Sequence, residues 1–110
     1  MEIVEEKIGE VHILNLTHRL DATCSMQFKD AVLAMADADK LKILIDMADV
    51  DFVDSSGLGT LVTCLHSVRK AGGVIKITSL QENPKHLFEI TRLDRVFDIY
   101  DDRDTALKSY

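Results

Sequence analysis

Apolar residues change their spacing several times along the chain, and each change marks an element. Ile3-Val4 and then Val11 to Leu16 read as two strands. Gly9-Glu10 between them predicts a hairpin turn, because glycine tolerates positive φ, and the pair is expected at a sheet edge. Cys24, Phe28, Ala31, Val32 and Met35 recur at three and four residues. That spacing predicts a helix capped by Asp21, with Lys29, Asp30 and Asp37 turned outward. Leu41 to Met47 follows as a short strand carrying Leu41, Ile43, Ile45 and Met47 on one face.

The clearest periodicity comes next. Leu58, Leu61, Val62, Leu65 and Val68 fall at i, i+3, i+4, i+7 and i+10, the inner stripe of a helix packed on a sheet. Arg69-Lys70 suit the negative end of that helix, and Gly72-Gly73 can take a left-handed cap. Val74 to Thr78 reads as a strand. Asn83-Pro84 supplies an N-cap and a first helical position, and Leu87, Phe88 and Ile90 begin the inner surface of a third helix. A short strand near Val96 to Ile99 is expected to close the sheet. Strand and helix alternate, which predicts an α/β fold whose parallel pairs are joined by right-handed crossovers. In open sheets of this kind binding collects at the carboxyl ends of strands. Here that places it on the loop Ala48 to Ser56, which leads into the strongest helix.

The chain has 110 residues, the size of one domain, and neither a linker nor an internal repeat divides it. A net charge of −6 opposes nucleic acid and anionic membranes as partners, since Lys and Arg are scattered with no cluster denser than Arg69-Lys70. The acidic start Met1-Glu2-Ile3-Val4-Glu5-Glu6 lacks the basic and apolar regions of an export signal, which predicts a cytoplasmic protein. Leu41 to Val53 is interrupted by Lys42, Asp46, Asp49 and Asp51 and falls short of the ~20 apolar residues of a membrane span. Cys24 and Cys64 are too far apart for a short metal or redox motif and read as packed thiols in a reducing compartment.

The informative segment is Asp51-Phe52-Val53-Asp54-Ser55-Ser56-Gly57-Leu58-Gly59. Asp54 or a serine can cap the helix, and Gly57 lets its first turn approach the sheet closely. A serine at a helix start is often exposed, and a phosphate there adds about −1.5 to −2 charges. The helix end favours an anion, whereas Asp54 and Asp21 oppose it. Loss of a partner is therefore the expected result of modification, rather than loss of the fold.

Phe52-Val53-Asp54-Ser55-Ser56-Gly57-Leu58-Gly59 resembles the signature of STAS domains, specifically bacterial anti-sigma factor antagonists. Leu20-Asp21, Gly72-Gly73 and Leu93-Asp94-Arg95-Val96-Phe97 also stand where that family has similar residues, so the resemblance covers nearly all of residues 1–110. It implies one STAS domain, a mixed sheet of four to five strands with packed helices. It also implies that Ser55, directly after the Asp, is the phosphorylation site. In that family the unphosphorylated antagonist binds an anti-sigma factor serine kinase and frees a sigma factor. The kinase phosphorylates the antagonist, and a PP2C-type phosphatase restores it. By the same resemblance Asp21 and Asp54 border the contact surface, and Ser55, Ser56 and Gly57 are candidate contact residues beside them. The outward positions Thr60 and Thr63, with Ser67 and Arg69, extend it along the helix. The family often has glycine two residues before the Leu-Asp pair, where this chain carries His18.

No cofactor or metal is expected, and a monomer or weak dimer is. Cys64-Leu65-His66 is a poor metal pair, because residues two apart on a helix do not share a face. A serine hydrolase is disfavoured because the glycine–any–serine–any–glycine elbow is missing around Ser55 and no pattern brings His12, His18, His66 or His86 to it. Neither the phosphate loop nor the dinucleotide fingerprint occurs. The rival in another class is a non-catalytic STAS subunit of a stress-signalling scaffold or a lipid-transport assembly.

Overall fold

A computed structural model describes residues 1–110 and arranges five strands in the spatial order β1-β2-β3-β4-β5. β1 (Ile3–Ile8) pairs antiparallel with β2 (Val11–Leu20), and Gly9 turns the hairpin at φ +61°. From β2 onward every pairing is parallel, through β3 (Lys42–Val53), β4 (Val74–Thr78) and β5 (Asp98–Tyr100). The sheet is mixed and the class is α/β, as the alternation predicts.

Two helices behave as their apolar spacing requires. α1 (Ser25–Asp37) buries Phe28, Val32 and Met35, and α2 (Ser55–Lys70) buries Leu58, Leu61, Cys64, Leu65 and Val68. Together with Phe88 of α3 (Glu82–Thr91) they form one core with Leu14, Leu16, Ile43, Ile45 and Met47. Gly72, just beyond α2, takes the left-handed conformation at φ +86° that the paired glycines suggest. Phe97 follows a short 3-10 turn at Leu93–Arg95 and packs edge-on against Phe88, with ring centroids 5.7 Å apart.

Four expectations need correction. Asp21 does not cap α1: the helix begins at Ser25 after Cys24, and Asp21 accepts from Thr23 N at 3.0 Å within the preceding turn. β3 does not stop at Met47 but runs to Val53, because Thr17 to Leu20 of β2 supply backbone partners for Asp49 to Val53. α3 starts at Glu82 rather than after Asn83, and Ile90 is exposed instead of inward. The buried face runs through Pro84 and Phe88, and Ile90 lies about 200° of helix rotation from Phe88. The last strand spans Asp98–Tyr100, shifted from the Val96 to Ile99 expectation.

A fourth helix, α4 (Arg103–Lys108), covers the opposite face of the sheet, where Ala106 meets Val11, Ile13 and Leu44. Alternation along β3 sends Ile43 and Ile45 toward α1–α3 and Leu44 and Asp46 toward α4. Asp46 is 7% exposed and is met by Arg103, with Nε and Nη2 at 3.0 and 2.8 Å from Oδ2. Arg103 Nη1 also donates to Glu6 at 2.6 Å, and hydrogen bonds from Asn15 and Arg103 hold the Glu6 carboxyl below its usual range. Lys76 donates to Ser109 O at 2.9 Å between the rings of Tyr100 and Tyr110, and the Tyr110 hydroxyl donates to Ile43 O. Removing one partner from a buried pair leaves an uncompensated charge. Arg103→Ala is therefore expected to lower stability by about 2–3 kcal/mol, read as a reduced urea midpoint.

Candidate functional site

The carboxyl ends of β2 and β3 meet side by side, Leu20 opposite Val53, and the next residue of each strand is an aspartate. The Asp54 N–H donates to Leu20 O at 3.3 Å, which ties the start of α2 to the end of β2. Asp54 has extended backbone and its Oδ1 accepts from Gly57 N at 2.9 Å, a side-chain N-cap. That bond leaves Ser55, the first residue of the helix, exposed and free of the capping role. Ser56 is exposed as well.

Gly57 is buried, and its part is steric. A Cβ there would stand 2.1 Å from Leu20 O and 2.8 Å from Leu20 C, inside the contact distance of any real pair of atoms. Gly57 thus offers packing to the site rather than contact surface. Thr60 and Thr63 lie farther along the same side of α2, half-buried and exposed, and their hydroxyls donate to Ser56 O and Gly59 O at 3.0 and 3.1 Å. These hydroxyls turn back onto the helix, so their outward faces are partly methyl. Ser67 is half-buried and Arg69 exposed at the far end.

Asp21 borders the site from the β2 side. Hydrogen bonds from the Thr23 hydroxyl and N–H hold its carboxyl below the usual aspartate range, with a smaller contribution from Arg19, whose Nε lies 3.8 Å away. Arg19 in turn lies over the Phe52 ring at 4.8 Å. His18 adopts φ +68° where the β2–β3 register shifts. That left-handed backbone is what a glycine takes without strain, and histidine is among the side chains that enter it more readily. Cys24 donates from Sγ to Arg19 O at 3.1 Å, and burial raises the Cys64 thiol to about 12. Both thiols are buried and packed.

Sequence reading did not foresee the surface beside Ser56. Met26 and Lys29 of α1 and Ser56 and Thr60 of α2 line one open groove. The available signal was Met26 itself, a large apolar residue off the helix's buried stripe.

The chain matches the STAS domain over residues 2–106. It belongs to the STAS domain family. Its relatives include an anti-sigma-B factor antagonist of Bacillus subtilis, 30% identical over 96 residues that span 87% of this chain and 86% of the relative. A candidate anti-sigma factor antagonist of Thermotoga neapolitana is 40% identical over 67 residues, 61% of this STAS domain and 59% of the relative's own length. The crystal structure of a candidate anti-sigma factor antagonist from Thermotoga maritima superposes with a TM-score of 0.92 at 28% identity, covering 97% of this chain and 92% of that one. In this STAS domain no helix is long and apolar enough to cross a membrane.

Proposed function

We propose that the chain is a cytoplasmic, non-catalytic anti-sigma factor antagonist whose unphosphorylated form binds an anti-sigma factor serine kinase and so frees a sigma factor. Phosphorylation of Ser55 by that kinase ends the association, and a PP2C-type phosphatase restores it. The observation that carries this reading is the division of labour at the start of α2: Asp54 makes the cap, and Ser55 stands exposed beside it. A phosphate on Ser55 adds about −1.5 to −2 charges at a position where the helix end tolerates an anion. The fold therefore survives modification. A partner surface shaped for a neutral hydroxyl meets instead a group of high negative charge, next to Asp54 and Asp21. The relatives bearing the antagonist description support the same reading.

The site assignment is tested by incubating the protein with ATP and a candidate kinase from the same genome, then mapping phosphate by mass spectrometry. Phosphate is expected on Ser55 and is lost in Ser55→Ala. Phosphate on Ser56 alone would overturn the assignment.

A further inference from the structure

The first turns of α1 and α2 leave an open groove of about 410 Å³ between them, with Ser25, Met26 and Lys29 on one side and Ser56 and Thr60 on the other. Met26 is 74% exposed, more than any other large apolar side chain in the molecule. The core makes no use of it, since α1 buries Phe28, Val32 and Met35 on another face. Single exposed apolar residues are ordinary on protein surfaces, so exposure by itself decides nothing. Position does: Met26 shares a groove with the immediate neighbour of Ser55.

We propose that Met26 is an apolar anchor for the anti-sigma factor serine kinase, entering an apolar pocket of that partner while Ser55 is presented to its nucleotide. The inference rests on the function proposed above and names a determinant of partner affinity that the phosphorylation motif does not contain. Phosphoryl transfer requires the Ser55 hydroxyl to be held in line with the transferred phosphate, so the kinase must cover the surface around Ser55. A standard interface covers about 800 Å² of each partner, a patch roughly 16 Å in radius. A groove with Ser56 on its wall lies inside such a patch. An unbranched, polarisable thioether adapts to a partner pocket with little strain. Lys29 and Asp30, exposed and of opposite charge at the groove, provide the polar rim that surrounds the apolar centre of an interface.

Binding of the unphosphorylated full chain to the kinase by calorimetry, joined to phosphorylation kinetics, tests the anchor. Met26→Ala is expected to weaken binding at least about tenfold, as interface anchors do on truncation. It should raise KM for the antagonist as substrate while leaving kcat and the thermal midpoint unchanged, and Met26→Leu should retain most of the affinity. Ile90, 65% exposed on α3, is the control, and Ile90→Ala should bind as the wild type does. Wild-type affinity in Met26→Ala would overturn the anchor and leave the proposed function standing. Equal weakening by Ile90→Ala would overturn it too, since loss of any exposed apolar residue would then suffice. No binding by the wild-type chain would overturn both.

Discussion

Gly57→Ala is expected to destabilise the domain by more than about 3 kcal/mol, among the largest losses open to a single methyl group. The added Cβ would stand 2.1 Å from a backbone oxygen, that of Leu20, and 2.9 Å from the same residue's Cγ. Backbone at the paired end of a strand cannot step aside as the tip of a flexible side chain can, because Leu20, the last residue of β2, is held in register with Val53. Relief must come from moving the first turn of α2 outward. That movement breaks the Asp54–Gly57 cap and the tie from Asp54 N to Leu20 O. Gly59, two residues on, is the internal comparison. A Cβ there meets nothing within 4 Å, and alanine in an exposed helical position is favoured over glycine by roughly 0.5–1 kcal/mol. Urea denaturation should therefore show a large fall in midpoint for Gly57→Ala and none for Gly59→Ala. A similar small effect at both positions would contradict the close approach of α2 to β2.

Ser55→Asp is expected to reduce kinase affinity by more than about a hundredfold while leaving the thermal midpoint close to that of the wild type. Ser55 is exposed and takes no part in the cap, so the substitution has little reach into the fold. Its effect falls on the interface, where a desolvated like-charge or unpaired charge costs several kcal/mol and ~3 kcal/mol already exceeds a hundredfold in affinity. A carboxylate carries less charge than a phosphate, so the variant should be a weaker repellent than the modified serine. Ser55→Ala should bind and stay bound in the presence of ATP, because the switch has no acceptor. Calorimetry with the kinase separates these outcomes. Full affinity in Ser55→Asp would argue that the partner does not contact this turn.

What was legible in the chain was local. The stripe from Leu58 to Val68 and the left-handed Gly72 depend on residues a turn apart, and the structure places them as that spacing requires. The cap was legible only to within a residue: Asp54 or a serine could make it, and the bond from Gly57 N to Asp54 Oδ1 at 2.9 Å assigns it to Asp54. The misreading of the segment after Met47 comes from partners distant in sequence. Ala48 to Val53 carries acids at Asp49 and Asp51 that suggest a loop, yet pairing with Thr17 to Leu20 draws the segment into β3. Asp46 reads as an interruption in an apolar run until Arg103, from a six-residue helix, neutralises it. Asp21 has the chemistry of a cap, but three residues of turn separate it from α1 and its carboxylate closes on Thr23 instead. The groove beside Ser56 is built from two helices with β3 between them in the chain, so neither helix's periodicity announces it.

His18 illustrates how the two levels join. It stands where the family often has glycine, and the backbone at φ +68° supplies the reason that position favours glycine. Its exposed side chain stands with Arg19, Asp51 and Phe52 at the same end of the sheet as Asp21 and Asp54.

The most direct measurement of the central claim is calorimetric titration of the anti-sigma factor serine kinase with the unphosphorylated chain and, separately, with the chain stoichiometrically phosphorylated on Ser55. The unphosphorylated form should bind and the phosphorylated form should bind more than about a hundredfold more weakly, with both unfolding cooperatively at similar temperatures. Equal affinity of the two forms would contradict charge-controlled association at the start of α2.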